Sequence, residues 1–444
     1  NGVGTSSLGT GSQSQNQFTD LFFENTLTWD KVFNAQHRFN IVGGTSWQKT
    51  RSQLFGVTAQ GYPDDKYLNN LSSASLVTAA VGTSGQNSLL SFYTRARDAW
   101  KDRYIVTFTG RSDASSKFPK VNRTGFFPSG GVAWRISDEP FMKDLKWVDD
   151  LKLRASTGYT GTQNIGDNMF YTLYSPFAYG GKSAMVPTQL GNEAIRWEST
   201  LQKDAGLDIS LFNSRFGASI EIYEKATSGI LFTRAVAGSS SYHSVIANLA
   251  NIRNRGLEIA LRGTFLEKKN FSWNGAFNIS FNRSLVTNVN RDFTNPNDIT
   301  DYNLGNAIVR EGEPLGLIYG KVFTGLLQTQ EQVDAYKEKN QYWMYFDPYL
   351  GIGDPSYKIP EGEFFPENEI IGRAEPKFYG GYTNSISYKG LSLTTLFTFS
   401  YGNDILYQGD IQNNNVSNRS NKTTEILGRW TPENPTSTRP RLLY

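Results

Sequence analysis

Strict alternation of apolar and polar positions is the strongest regularity along the chain. Over Phe271–Phe281 the odd positions are Phe271, Trp273, Gly275, Phe277, Ile279 and Phe281; the even ones are Ser272, Asn274, Ala276, Asn278 and Ser280. A strand places successive side chains on opposite faces, so this segment has one apolar and one mostly polar face. Just upstream, Leu257, Ile259, Leu261 and Phe265 alternate with Glu258, Arg262 and Thr264, and Glu267-Lys268-Lys269-Asn270 joins the two runs into a hairpin. The same unit recurs. Leu21, Phe23, Leu27 and Trp29 alternate with Glu24, Thr26, Thr28 and Asp30; a turn near Asn34–His37 follows, then Phe39, Ile41, Gly43 and Trp47. Ser91–Trp100 and Arg103–Gly110 flank Lys101-Asp102, Leu207–Leu211 and Phe216–Ile222 flank Asn213-Ser214, and Phe378–Tyr388 and Leu391–Tyr401 meet at Lys389-Gly390. Gly125–Ile136 and Leu151–Gly158 are weaker strands joined by Ser137–Asp150, which reads as partly helical. The pattern predicts about a dozen strands or more.

Connection lengths differ sharply. Turns inside hairpins are mostly short, whereas Ser52–Gln86, Thr162–Glu198, Thr227–Ile252 and Leu285–Glu375 read as long connections. Outer-membrane barrels have short periplasmic turns and long extracellular loops; soluble sandwiches more often have short connections at both ends. The predicted fold class is therefore all-β, a transmembrane antiparallel β-barrel. Trp29 and Trp273 lie beside short turns, as an interfacial aromatic girdle requires. The polar strand faces, with Arg38, Asn40, Arg154, Asp208, Glu221, Glu258, Arg262 and Asn278, would line the lumen.

Composition narrows the picture. Mean hydropathy is negative, and no run approaches the roughly 20 apolar residues of a membrane helix. A barrel escapes both tests, because only alternate residues face lipid. Aromatic residues make up 14% and glycines number 42, which suits strands separated by many turns. Cysteine is absent and only His37 and His243 occur, which argues against thiolate or zinc chemistry. A formal charge of +3 gives a nucleic-acid partner no support. Asn1 is not methionine, no leader precedes the first strand, and Tyr444 follows Pro432, Pro435 and Pro440, so both ends are expected to lie inside a longer protein.

Candidate chemistry is sparse. Walker, nucleophile-elbow and HExxH motifs are missing, so no enzyme, cofactor, catalytic residue or metal site is expected. Thr329–Lys339 reads as a surface helix in the longest loop, and Gln412–Thr423 as a mobile polar stretch. Gln341–Phe346 is an aromatic cluster; Tyr342, Trp343 and Tyr345 could stack on sugar or peptide groups, or simply pack the loop. Asp354, Glu361, Glu363, Glu367 and Glu369 lack calcium-loop spacing and read as a solvated acidic loop.

Gly353-Asp354-Pro355, followed by Ile371-Gly372-Arg373-Ala374-Glu375-Pro376-Lys377-Phe378, resembles a stretch of the SusC/RagA-type TonB-dependent transporters of Bacteroidetes. Gly381-Tyr382-Thr383-Asn384 with Tyr388-Lys389-Gly390-Leu391 is similar to the family's next hairpin, and Tyr401-Gly402-Asn403-Asp404 to its G-N-D strand ending, although Phe399 replaces a glycine. Arg103-Tyr104, Arg111–Phe118, Phe127-Pro128-Ser129 with Ala133-Trp134, Asn254–Glu258, and Arg429-Trp430-Thr431-Pro432 with Pro440-Arg441 resemble further motifs in the same order. Ile359–Phe364 departs from the family's D-x-N-G-D-G loop, so calcium is not carried over.

The resemblance implies a 22-stranded outer-membrane barrel. Residues 1–444 would form part of it, with the plug domain and final strands outside. It also implies TonB-dependent import of an oligosaccharide or peptide nutrient. The expected partners are a SusD-like surface lipoprotein, the TonB-ExbB-ExbD energy-coupling complex, outer-membrane lipid and the glycan or peptide itself. The reading from another class is a structural, scaffolding barrel of an envelope complex that transports nothing.

Overall fold

The computed structural model describes residues 9–63, 70–289, 301–303, 305–341, 348–414, 421–435 and 437–441. Twenty strands occur among them. They are β1 (Thr10–Phe33), β2 (His37–Gln60), β3 (Leu76–Trp100), β4 (Tyr104–Ser115), β5 (Thr124–Arg135), β6 (Val148–Thr162), β7 (Leu173–Tyr179), β8 (Lys182–Gln189), β9 (Glu198–Leu211) and β10 (Phe216–Ala235). Then follow β11 (Ser244–Lys268), β12 (Phe271–Val289), β13 (Asp301–Asn303), β14 (Ala307–Arg310), β15 (Leu317–Lys321), β16 (Phe323–Leu326), β17 (Pro355–Tyr357), β18 (Asn368–Arg373), β19 (Phe378–Tyr388) and β20 (Leu391–Tyr401). Twelve of them form one antiparallel sheet in the order β1-β2-β3-β4-β5-β6-β9-β10-β11-β12-β19-β20. The order is linear, so among the described residues β1 and β20 each have a single neighbour. No helix among the described residues is long and apolar enough to cross a membrane.

By contacts the chain forms two compact units, Asn1–Ile252 and Arg253–Tyr444. In the first, one sheet face carries Ile41, Trp47, Leu90, Phe92, Val106, Phe108, Val132, Leu153 and Ile222, all exposed. This apolar band has measurable ends. On β3 its face runs from Trp100 to Leu90, ten steps or about 34 Å along the strand. At a tilt of about 40° that is roughly 26 Å, matching the apolar band of an outer-membrane barrel. Beyond Leu90 the same face continues as Ser88, Gln86 and Ser84, and beyond Trp47 as Lys49, Arg51 and Gln53.

The strands continue past the band. β1 has 24 residues, about 80 Å, where about ten suffice to cross. Two expected long connections are therefore mostly strand. Ser52 pairs with Gly85 and Gln60 with Leu76, so Ser52–Gln86 is largely ladder, and β10 and β11 likewise consume much of Thr227–Ile252. These extensions set apolar residues on both faces, as the neighbours Leu54 and Phe55 and Leu76 and Val77 show, and in β10 and β11 they pack Leu231 and Ile246 on a loop core, so they lack the alternation that marks a half-buried strand. The other two long connections hold small sheets: β7–β8 inside Thr162–Glu198, and β13-β14-β15-β18 with β16–β17 inside Leu285–Glu375. His37 opens β2 instead of lying in the turn, and the expected partial helix at Ser137–Asp150 consists of short 3-10 turns at Ile136–Asp138 and Pro140–Met142. The surface helix is present as α1 (Gln330–Lys339), capped by the Thr329 hydroxyl, which accepts from the Gln332 N–H. Of the stretch expected to be mobile, 412–423, residues 415–420 lie outside the described residues, and positions 412 and 413 end a short helix, Gln408–Asn413.

The short turns follow hairpin stereochemistry. Lys389 and Gly390 have φ of 45° and 88°, the pair of positive values that a type I′ turn needs. Gly390→Val should therefore weaken the β19–β20 hairpin by about 1–2 kcal/mol. The check is the urea midpoint of the full-length protein folded into lipid vesicles, with Lys389→Asn expected to leave it unchanged or raise it.

Candidate functional site: the polar inner wall and the loop joints

The face opposite the apolar band is a wall of hydrogen-bonded polar and charged side chains. Asp20 accepts from the Gln48 amide and the Thr50 hydroxyl, both at 2.9 Å, and Tyr93 donates to Glu24 at 2.6 Å. Asn40 donates to Asp30 at 2.6 Å and accepts from Arg95 at 3.1 Å. Further round, Arg154 reaches Asp208 at 3.3 Å and Glu221 at 2.6 Å, while Lys152 meets Asp208 at 2.9 Å. Register explains the reach. Arg154 lies opposite Gly206, and Gly206 lies opposite Glu221 on the next strand. A Cβ on Gly206 would stand 2.6 Å from the guanidinium carbon, so the missing side chain is the gap through which Arg154 crosses two strand spacings. Beside this network the wall is concave. A cavity of about 450 Å³ is lined by Thr107, Thr109, Ser129, Gly131, Ser156 and Asp204.

At the long-loop end the first unit has a packed core. Phe118 and Ile195 are fully buried with Ile165, and Met169, Trp197, Leu231 and Ile246 pack round them. Arg111 holds both oxygens of Asp113 at 2.8 Å and donates to the buried Ser91 at 2.9 Å, tying the β4 end to β3. At the short-turn end Glu139 accepts from the Tyr104 hydroxyl at 2.5 Å, the Trp134 indole at 3.0 Å and Arg103 at 3.3 Å. The Tyr104 bond, then the Trp134 bond, hold its carboxyl below the ordinary value of 4.5.

In the second unit, two stretches far apart in sequence meet. Asp354, 1% exposed, receives two guanidinium bonds of 2.8 Å from Arg441. The Trp430 ring covers Gly353, whose φ is +90°; a Cβ there would stand 2.5 Å from the ring. Asp404 accepts from the Arg373 N–H at 2.8 Å, closing the end of β20 onto β18. Glu375 accepts from Asn282 at 2.8 Å and from the Ser284 hydroxyl at 2.9 Å. The motifs that stood out in the sequence are thus the joints that pin loops to strand ends.

Several expectations meet the structure here. Arg38, Asn40, Arg154, Asp208 and Glu221 share the polar face, as read from the alternation. Asn278 is on the face opposite Trp273 and Phe277. Asp354 is corrected: it is a buried, paired carboxylate and not part of a solvated acidic loop, because Arg441 and the Gly351 N–H satisfy it. Tyr342, Trp343 and Tyr345, the candidate substrate contacts, lie outside the described residues. Sequence reasoning missed Gly206 as a functional gap, although a glycine inside an alternating strand is its signal. It also missed the Asp354–Arg441 pair, since nothing local to either residue announces a partner 87 positions away.

Comparison with known proteins places these features. Residues 1–316 match the family model described as TonB dependent receptor-like, beta-barrel. A TonB-dependent receptor of Formosa agariphila is 29% identical over 455 residues, covering 95% of this chain and 43% of that protein. The TonB-dependent receptor SusC of Bacteroides thetaiotaomicron is 34% identical over 212 residues, 46% of this chain and 21% of that protein. The structure of the RagAB peptide transporter is similar with a TM-score of 0.79 at 21% identity, covering 98% of this chain and 47% of that one. The chain thus spans less than half the length of the curated relatives it matches.

Two outcomes are expected of the joints. Arg441→Leu leaves the Asp354 carboxylate buried and unpaired, which costs about 3–5 kcal/mol; limited proteolysis of the folded protein should then cut the 327–357 region many times faster. The Glu139 cluster should be acid-sensitive. A carboxyl with a lowered folded value contributes stability that is present above pH 4.5 and is lost as pH falls through that lower value. Trp134 fluorescence should therefore shift on acidification below pH 4.5 in the wild type, and Glu139→Gln should abolish that transition.

Proposed function

Because the chain belongs to the TonB dependent receptor-like β-barrel family, we propose that the protein imports a nutrient across the bacterial outer membrane, driven by TonB with ExbB and ExbD. The barrel itself is an outer-membrane one of the SusC/RagA kind. The observation that carries the proposal is the paired face of the sheet. An apolar band about 26 Å tall backs a polar wall whose carboxylates are held by hydrogen-bond donors or, at Asp208 and Glu221, by Arg154, so the lumen offers a polar route without a deep ionic trap.

All of residues 1–444 belong to the barrel in this reading, and a plug supplied by another part of the protein closes it. The cargo is an oligosaccharide or a peptide; a fold neighbour is a peptide transporter. A SusD-like lipoprotein caps the extracellular loops, and Tyr342, Trp343 and Tyr345 stack on the cargo.

A deletion strain grown on defined glycans and peptides tests this. Uptake of one of them should depend on the gene and collapse with a protonophore. Trp343→Ala should raise the half-saturating concentration of that nutrient about ten-fold, in line with one lost stacking contact. If every nutrient entered the deletion strain at the wild-type rate, import would be the wrong function.

A further inference from the structure

The last row of outward-facing side chains before the short turns differs from the apolar band above it. Phe33 lies opposite His37, His37 opposite Trp100, Trp100 opposite Tyr104, and Tyr104 opposite Trp134, so one aromatic row crosses β1 to β5. The rings touch. His37 stacks on Trp100 at 6.2 Å and on Phe39 at 5.9 Å, and Trp100 meets Tyr104 at 5.2 Å. Two ammonium groups sit on this platform: Lys31 Nζ is 5.0 Å from the Phe33 ring centre and Lys101 Nζ 4.9 Å from that of Trp100.

These lysines contrast with the inner-wall cations. Arg154 is satisfied by two carboxylates. Neither Lys31 nor Lys101 forms an ion pair among the described residues. An aromatic face positions an ammonium but accepts none of its three N–H donors in a normal hydrogen bond. Of the nearby carboxylates, Asp98 shares this face and accepts from His37 at 2.9 Å through Oδ2 while its Oδ1 has no partner among the described residues, Asp30 faces the other side and accepts from Asn40, and Asp102 sits in the turn itself. Lys31 stands in register with Asp98, through Phe39, so it lies two strand spacings (about 10 Å) across and three residues (about 10 Å) along from Lys101, a separation that two extended lysine side chains can close on one anion. The row continues the lipid-facing band at its short-turn end, where headgroups of the periplasmic leaflet lie.

We infer that Lys31 and Lys101, on the Phe33–His37–Trp100 platform, form a binding site for the phosphodiester of a periplasmic-leaflet glycerophospholipid. Its acyl chains run along Ile41, Val106 and Phe108, all exposed on the same face. The site serves anchoring and orientation of the barrel, and is independent of any imported cargo.

Native mass spectrometry of the delipidated full-length protein in detergent tests it, titrating phosphatidylglycerol, phosphatidylethanolamine and diacylglycerol. Both phospholipids should be retained and diacylglycerol not. Lys31→Gln and Lys101→Gln should each weaken phosphatidylglycerol retention about five-fold, and the pair about 25-fold. Lys225→Gln, on the inner face, should change nothing. Unaltered heat-modifiable migration on gels shows that each variant is folded. Wild-type retention by the double variant, or equal retention of diacylglycerol, would overturn the assignment. Displacement of the lipid by millimolar inorganic phosphate would also overturn it, because the site would then be one for a free anion.

Discussion

Inside a bilayer no water is available to a backbone N–H or C=O, so each must find its partner within the protein. The rest of this molecule follows from that demand. Strands meet it only by pairing with neighbours, which yields the unbroken ladder from β1 to β20. Pairing then dictates alternation, since each residue must face either lipid or lumen. Alternation in turn separates the exposed Val106 and Phe108 from Thr107 and Thr109 on one strand. Among the described residues β1 and β20 have one neighbour each, and the same demand applies to their outer edges.

How much of this could be read from the chain depends on which force shaped each part. Strands within the apolar band were legible, because lipid on one side and water on the other write a period of two into the residues. Phe271–Phe281 and Leu391–Tyr401 needed no structure to be recognised. The outward extensions of β2 and β3 were not legible. In Ser52–Gln60 and Leu76–Gln86 apolar neighbours such as Leu54 and Phe55, or Leu76 and Val77, fall on opposite faces, so no period of two appears, although the ladder between the strands is continuous apart from one bulge. The small sheets at 301–373 escaped for a related reason: strands of three to six residues are shorter than any period can reveal.

The candidate site divides along the same line. Membership of the polar wall was visible residue by residue, as Arg154, Asp208 and Glu221 show. Their partnership was not, since it rests on register and on the gap at Gly206. The family-like motifs behave differently again. Gly353, Asp354, Trp430 and Arg441 looked like a signature before they looked like anything physical. Together they prove to be a buried ion pair under an indole lid. Such a joint fixes a loop base while leaving the loop tip free to vary, which is what a receptor with exchangeable specificity requires.

The wall's energetics bear on where the specificity of the proposed import would reside. The Arg154, Asp208 and Glu221 side chains are each a little under one-third exposed. Ion pairs that remain this wet contribute about 0–1 kcal/mol each. They are matched to one another, so a passing solute would have to break them to gain their charges and would recover little by doing so. A wall built in this way neither attracts nor traps a cargo. In the proposed import function it keeps the lumen hydrated and leaves selection to the loops, whose bases the Asp354–Arg441 joint and the Phe118 core hold in place.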